Sequence, residues 1–229
     1  MKLPSPEDRS EKPSVRPGLL VVVSGPSGVG KGTVLDLLLT RRKDCVFSIS
    51  ATTRPPRPGE VDGKHYYFLS PETFNRWIEE NRFLEWNQVH DAYYGTPREF
   101  VQQARLGGRH VVLDVDVKGG LEVMGAEPDC VSVFLAPPDL EALQWRLRHR
   151  GTESPEQIAR RLLVARSELK HMDRYGYTIV NDTIERAEAQ LEAVLDAEMA
   201  RTTRVRADGQ LQVLFRPDLE TPAPGRAEG

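Results

Sequence analysis

The stretch VVVSGPSGVGKGTVLDLLL, Val21 to Leu39, constrains this chain more than any other. An apolar run reaches a glycine-rich turn and passes directly into leucines at helical spacing, so a buried strand, a tight loop and a helix must follow one another. Gly25, Gly30 and Lys31 occupy the first three fixed positions of the pattern G-x-x-x-x-G-K-[ST], with Pro26, Ser27, Gly28 and Val29 between the glycines. Glycines let such a loop approach a polyphosphate and aim successive backbone N–H groups at it, and the following helix adds the positive end of its dipole. The lysine supplies a charge that bridges the terminal phosphates. At the fourth position, where a hydroxyl should meet magnesium, stands Gly32, followed by Thr33. Mg²⁺ keeps several waters and can be held mainly by nucleotide phosphates. The missing hydroxyl therefore weakens direct ligation without disabling the loop. A glycine-rich turn carrying an exposed lysine is the structural alternative.

The rest of the chain narrows the setting. Its 229 residues carry a net charge of −3, so no global positive field draws it onto nucleic acid or membrane, and a bound anion must be held locally. Cys45 and Cys130 are too few for a disulfide framework and fit a reducing, cytoplasmic setting as buried thiols. No run approaches the ~20 apolar residues that cross a bilayer. The segment MKLPSPEDRSEKPSVRPG lacks the apolar core of a signal peptide. Its composition, and that of RPDLETPAPGRAEG near the other end, reads as tail.

Buried strands are expected at Leu19–Ser24, Val46–Ser50, in HVVLDVD from His110, in CVSVFLA from Cys130, and at Tyr177–Asn181. Helices are expected over Val34–Thr40, Asp139–His149, Pro155–Lys170 and Ile184–Met199, where Ser154, Pro155 and Gln157 read as a capped helix start. Alternation of this kind implies an α/β fold with a parallel sheet flanked by helices, binding its ligand beyond the carboxyl ends of the strands. Between Ala51 and Thr96 the texture changes to prolines, arginines and short aromatic strands around a helix near Pro71–Glu80, as in a small mixed lobe inserted into the core. The expected organisation is a tail over 1–17 and one domain over 18–200, with a mostly flexible extension over 201–229. Within the domain, the core takes 18–49, 97–137 and 171–200, the mixed α+β lobe 50–96, and a helical lid 138–170.

The loop's GKGT ending resembles nucleoside monophosphate kinases. Taken with SISATTRPPRPGEVDGKHYYFLS, FLEWNQVHDAYYGT and VVLDVD, it resembles the guanylate kinases over roughly Leu19 to Met199. The resemblance implies Mg²⁺-dependent transfer of the γ-phosphate of ATP to GMP or dGMP in purine nucleotide metabolism. It makes Gly25 through Thr33 and, near the adenine, Asn181 the ATP site. Arg54 and Arg57 match two phosphate-gripping arginines, and Tyr66 and Tyr94 two tyrosines donating to the same phosphate. Glu85 matches a carboxylate that pairs with guanine, Ser50 and Thr96 match hydroxyls beside the ring, and Asp116 a second acid facing it. Asp114 stands where it can order metal-bound water or the Arg54 side chain, and Thr33 is a further candidate for the metal. Arg150 and Arg161 match lid arginines that contact the transferring phosphates, so Lys31, Arg54, Asp114, Arg150 and Arg161 form the implied catalytic set. Arg146, Arg148 and Arg160 read as exposed basic charges, Tyr93 as a packing aromatic, and His110 as structural.

Two alternatives remain open at this point. One is an inactive interaction module that binds phosphorylated peptides in the acceptor cleft. Such modules typically lack a working phosphate loop. The other is a related kinase acting on a phosphosugar, for which Glu85, Ser50 and Asp116 would have no purine to read. The histidines His65, His90, His110, His149 and His171 show no metal-ligand spacing. Oligomeric state, monomer or homodimer, is not written in the sequence.

Overall fold

The computed structural model describes residues 16–89, 91–149 and 155–207. The first strand, β1 (Leu20–Ser24), is buried at every position, and the chain turns from it through the glycine loop into α1 (Lys31–Arg41). β2 (Cys45–Phe47) leads to a second, smaller group: β3 (Ala51–Thr52), β4 (Tyr67–Phe68), α2 (Pro71–Glu79), β5 (Phe83–Val89) and β6 (Ala92–Pro97). Next come α3 (Arg98–Leu106), β7 (His110–Asp114), α4 (Val117–Ala126), β8 (Val131–Ala136), α5 (Leu140–His149) and α6 (Pro155–Leu169). β9 (Tyr177–Val180), α7 (Ile184–Met199) and α8 (Thr202–Ala207) follow.

The five long-range strands form one parallel sheet in the order β2-β7-β1-β8-β9. Because strand side chains alternate between faces, β1 serves two cores at once. Leu19, Val21 and Val23 pack with Val34, Leu35 and Leu38 of α1 and Leu191 and Leu195 of α7. Leu20 and Val22 face the other way, onto Val101 and Ala104 of α3 and Val123 of α4. Each fully buried aliphatic side chain here contributes about 1.5–3 kcal/mol, and β1 collects contributions on both sides. That double burial explains the uninterrupted apolar run LLVVV.

The smaller sheet has the order β4-β3-β6-β5, with β3 and β5 antiparallel to β6. It closes over stacked rings: Phe74 of α2 lies 4.5 Å from Phe83 and 5.5 Å from Tyr93, centroid to centroid. Tyr93 therefore packs the lobe, as its sequence position suggests. Between Phe83 and Trp86 the register against β6 shifts, a β-bulge that falls at Leu84 and Glu85.

Three helices of the structure have no counterpart in the sequence reading. α4 hides because Gly119 and Gly120 depress its helix propensity. A β-carbon on Gly120 would lie 2.4 Å from Ser24 Oγ and 2.6 Å from Tyr175 Oη, so the helix can approach β1 this closely only with glycine there. α3 begins right after Pro97 and buries Val101 and Ala104. α8 lies in the stretch expected to be mostly flexible, yet Arg204 holds the Asp129 carboxylate at 2.9 Å and its backbone carbonyl at 2.8 Å. Glu198, buried beside α8, accepts from Tyr177 at 2.6 Å and pairs with Arg201 and Arg204 at 3.3 and 3.5 Å. The segment QLQVLF and Ser154 lie outside the described residues.

At the foot of β7 the buried His110 accepts the Leu19 N–H on Nδ1 at 3.0 Å and faces Asp44 at 3.5 Å through Nε2. Burial holds its pKa below the ordinary value, against the pull of Asp44. Below an unfolded pKa of about 6.5 the unfolded imidazole binds more protons than the native one, so its stabilising effect is complete above that pH and declines as pH falls. His110→Ala leaves a buried N–H unpaired and is expected to cost about 1–3 kcal/mol at pH 7.5. Urea unfolding should show that loss shrinking at pH 5.5. A constant loss at both pH values would mean that the imidazole is not held neutral.

Candidate active site

The glycine loop leaves β1 at the carboxyl edge of the sheet and turns by positive φ at Gly25, Gly28 and Gly30. Gly30 caps α1 in the left-handed region, and a β-carbon there would strike Asn181 Nδ2 at 2.7 Å. The loop is tied down from behind. Asn181 donates to the Val29 carbonyl at 2.7 Å, and Arg146 donates to the same carbonyl at 3.0 Å and to the Asn181 carbonyl at 2.8 Å. Asn181, 0 % exposed, sits underneath the loop as its brace. One expectation changes here. Arg146, read as a surface charge, is the second half of that brace. From α6, Arg161 reaches the Ser27 hydroxyl at 3.3 Å. Arg150 lies outside the described residues, and Arg148 and Arg160 are exposed.

Lys31 lies along the loop, donating to the Gly25 carbonyl at 3.0 Å and standing 3.7 Å from Asp114 at the end of β7. β7 pairs directly with β1, placing Asp114 beside Val23. The partly desolvated rim lifts the Asp114 carboxyl above the ordinary range, with Lys31 opposing the shift. Gly32 faces open space and Thr33 is exposed on the first turn of α1. No steric reason therefore keeps a hydroxyl from position 32. Among the described residues no group of three or more His, Cys, Asp or Glu side chains could hold a metal ion by itself.

Across the carboxyl edge, the smaller sheet presents a second set of groups. A cleft of about 180 Å³ is lined by Ser50, Tyr66, Thr96 and Asp114, among others. Arg54 stacks 5.5 Å from the Tyr66 ring, which meets Tyr94 edge-on at 6.0 Å. Arg54 does not pair with Asp114, as one sequence expectation had it. Its guanidinium forks onto Glu60 at 2.8 and 2.9 Å, and the same carboxylate accepts the Arg57 N–H at 2.7 Å. Arg54, with the Arg57 N–H, holds the Glu60 carboxyl down to about 2. Glu60 went unremarked in the sequence, although it closes the TTRPPRPGE loop that carries both arginines. The Arg57 side chain is exposed.

The bulge in β5 sends Leu84 into the core and Glu85 toward β6, where Thr96 donates to its carboxylate at 2.6 Å. Asp116 caps α4, accepting the Gly119 N–H at 2.8 Å. A β-carbon on Gly119 would touch both acids, 3.3 Å from Glu85 Oε2 and 3.4 Å from Asp116 Oδ1. Burial raises the Glu85 pKa, Thr96 lowers it, and Asp116 raises it again. One further carboxylate escaped the sequence reading. Glu168 on α6 lines a cleft with Asp116, and its Oε2 is buried without a partner among the described residues.

A parallel sheet with a glycine loop and lysine after its central strand, facing a lobe of arginines, tyrosines and a buried carboxylate, defines a phosphate-loop kinase fold. A family model described as guanylate kinase matches residues 18–198. The guanylate kinase of Symbiobacterium thermophilum is 51 % identical over 84 % of this chain and 91 % of its own length. That of Caldanaerobacter subterraneus is 49 % identical over 82 % of this chain and 91 % of its own. The crystal structure of guanylate kinase from Anaplasma phagocytophilum superposes with a TM-score of 0.67 at 32 % identity, covering 87 % of this chain and 96 % of that one. The chain belongs to the guanylate kinase family. Among the described residues no helix is long and apolar enough to cross a membrane.

Burial raises the Glu85 pKa, and the hydrogen bond from Thr96 opposes that rise. Thr96→Val keeps the shape and removes the donor, so the Glu85 pKa, already above the ordinary value, should rise further. Carboxyl-carbon NMR titration of both proteins checks this, and an unchanged midpoint would show that the contact is not formed in solution.

Proposed function

We propose that this protein transfers the γ-phosphoryl group of ATP to GMP, releasing ADP and GDP. The observation that carries the reading is Glu85: a carboxylate set by a bulge beside Thr96 and Asp116, across the cleft from Arg54, Tyr66 and Tyr94. A carboxylate can accept from both N1–H and the exocyclic amine of guanine, two donors that adenine does not present on that edge. In this reading Ser50 and Thr96 flank the base, Arg54, Arg57, Tyr66 and Tyr94 hold the acceptor phosphate, and Gly25 to Thr33 hold the triphosphate. None of these groups is assigned to the ribose 2′ position, so dGMP is proposed as a second acceptor.

An oxygen of the GMP phosphate attacks the γ-phosphorus in line, a P–O bond to it forms, and the bond to the β,γ-bridging oxygen breaks with its electron pair leaving on ADP. The attacking oxygen is already anionic, so no strong base is needed, and rate comes from positioning and charge neutralisation. Lys31 would exchange the Gly25 carbonyl for the phosphates, Arg54 would exchange Glu60 for the acceptor, and Arg161, with Arg150, would reach the moving group from the lid. Water must be excluded from that transfer, which gives the lobe over 50–96 and the lid over 138–170 a reason to close. The donor set offered to a cation is oxygen only, Asp114 and the exposed Thr33, which fits a hard ion held chiefly by phosphates and water. Magnesium, when bound, would neutralise charge on the β- and γ-phosphates, with Asp114 and Thr33 the groups in place to hold its shell. We place the reaction in the cytoplasm, in keeping with the two free thiols Cys45 and Cys130.

Coupled assay of ADP release with GMP, AMP and ribose 5-phosphate tests the reading: GMP should be strongly preferred, and preference for the sugar phosphate would overturn it. Glu85→Gln keeps one acceptor but turns an amide toward guanine's donors. A hydrogen bond to a charged partner is worth about 1.5–3 kcal/mol, so GMP use should fall roughly ten- to a thousandfold, with discrimination against AMP falling too and the KM for ATP nearly unchanged. Full retention of activity and selectivity would make Glu85 a surface acid.

Lys31→Ala should abolish turnover while GMP affinity, measured by calorimetry, stays largely intact. An equal loss of GMP affinity would show that the two subsites are assigned wrongly.

A further inference from the structure

Base recognition in the proposed reaction depends on three groups from three elements: Glu85 on β5, Thr96 on β6 and Asp116 at the start of α4. Each belongs to an element with an independent path through the fold, and the two strands lie at the junction where the smaller sheet returns to the core. Something must hold that junction to α4.

Near the site Lys118 of α4 donates to Asn87 of β5 at 3.0 Å, and a second side chain spans the junction at its other end. Arg98, the first residue of α3, donates through Nη1 to Glu127 at 2.9 Å and through Nη2 to the Phe83 carbonyl at 3.2 Å. Its backbone N–H donates to the Arg82 carbonyl at 2.8 Å. Phe83 precedes Glu85 by two residues, Thr96 precedes Arg98 by two, and Glu127 is the C-cap of the helix that Asp116 opens. Arg98 thus touches the start of β5, follows the end of β6, and reaches the far end of the helix that Asp116 opens. Arg105 stands 4.0 Å from Glu127 on its other side, which fixes the carboxylate from α3 as well. The β5–β6 register is normal at Phe83 and Pro97 and shifts just beyond, so the clamp sits at the last regular pair before the bulge that aims Glu85.

We propose that Arg98 is a positioning residue for base recognition: it ties the start of β5 and the end of β6 to the C-terminal end of α4, so that Glu85 and Thr96 meet the base in register with Asp116. The groups on the far side of the lobe behave differently. Arg54 and Arg57 are tied within the lobe, by Glu60, by the Thr52 hydroxyl that accepts the Arg54 N–H, and by the Tyr66 and Phe68 rings under the Arg54 guanidinium, with no comparable tie to the core among the described contacts.

The proposal rests on the assignment of Glu85 as the guanine reader, and the experiment separates the two. Arg98→Ala should raise the KM for GMP about tenfold, with kcat and the KM for ATP changed by no more than about twofold. It should also narrow the preference for GMP over IMP, which lacks the 2-amino group, since a loosened Glu85 no longer meets that group in register. Arg98→Lys retains one of the two contacts and should recover part of the preference. Thermal melting, run alongside, confirms that assays are made well below unfolding. An unchanged GMP-to-IMP preference in Arg98→Ala, or equal losses for GMP and ATP, would overturn the proposal while leaving the kinase assignment standing. If Glu85→Gln also leaves that preference unchanged, the base-reader assignment fails and takes this inference with it.

Discussion

A loop that offers its backbone N–H groups to a ligand cannot use those same groups to hold itself in shape. This is the constraint on which the structure turns, and the answer is to hold the loop by a carbonyl. Val29 is gripped through its oxygen by Asn181 and Arg146. Asn181 ends the last strand of the sheet and Arg146 sits on α5, so the brace joins three elements beneath the turn. Its effect is preorganisation: the turn is held from behind, with the Val29 N–H closing it onto the Pro26 carbonyl at 3.1 Å, so that binding need not order it.

Charge is handled by a related device. Without substrate, the cations meant for phosphate are parked on internal acceptors, Lys31 on a carbonyl near Asp114 and Arg54 on Glu60. Paired this way they keep their geometry without a dedicated structural role. The Arg54–Glu60 fork lies at a loop edge that solvent can enter, where an ion pair is weakly stabilising. In the proposed reaction an acceptor phosphate arriving between Tyr66 and Tyr94 would compete with a single carboxylate, for a guanidinium already forked as a bidentate contact needs.

Residue types and order were legible in the sequence, and through-space partnerships were not. The spacing from Val21 to Leu39 announced strand, loop and helix, because burial on both faces leaves an unbroken apolar run. Glu85 was legible through resemblance and appears as a buried carboxylate, but the bulge that turns it toward Thr96 left no mark in FLEWNQV. α4 was invisible because its glycines, read locally, argue against a helix, whereas their purpose is contact distance to Ser24 and Glu85. Arg146 looked like one basic residue among several. Only the fold, bringing α5 back over the loop 117 positions away along the chain, separates it from Arg148 and Arg160.

That first turn of α4 sets the distance over which the proposed reaction runs. Gly120 rests on Ser24, the last residue of β1 before the loop proposed to hold the donor, and Gly119 rests on Glu85, the proposed reader of the acceptor base. Consecutive residues of a single helical turn therefore fix both subsites against one rigid element, capped by Asp116. In-line transfer needs the attacking oxygen within a few tenths of an ångström of its place, and small misplacements are costly in rate. A side chain at Gly120 would collide with Ser24 and Tyr175, and one at Gly119 would press on the Glu85 and Asp116 carboxylates. The glycines that lower the helix propensity of this segment are thus the residues that let one turn of it measure the gap between donor and acceptor.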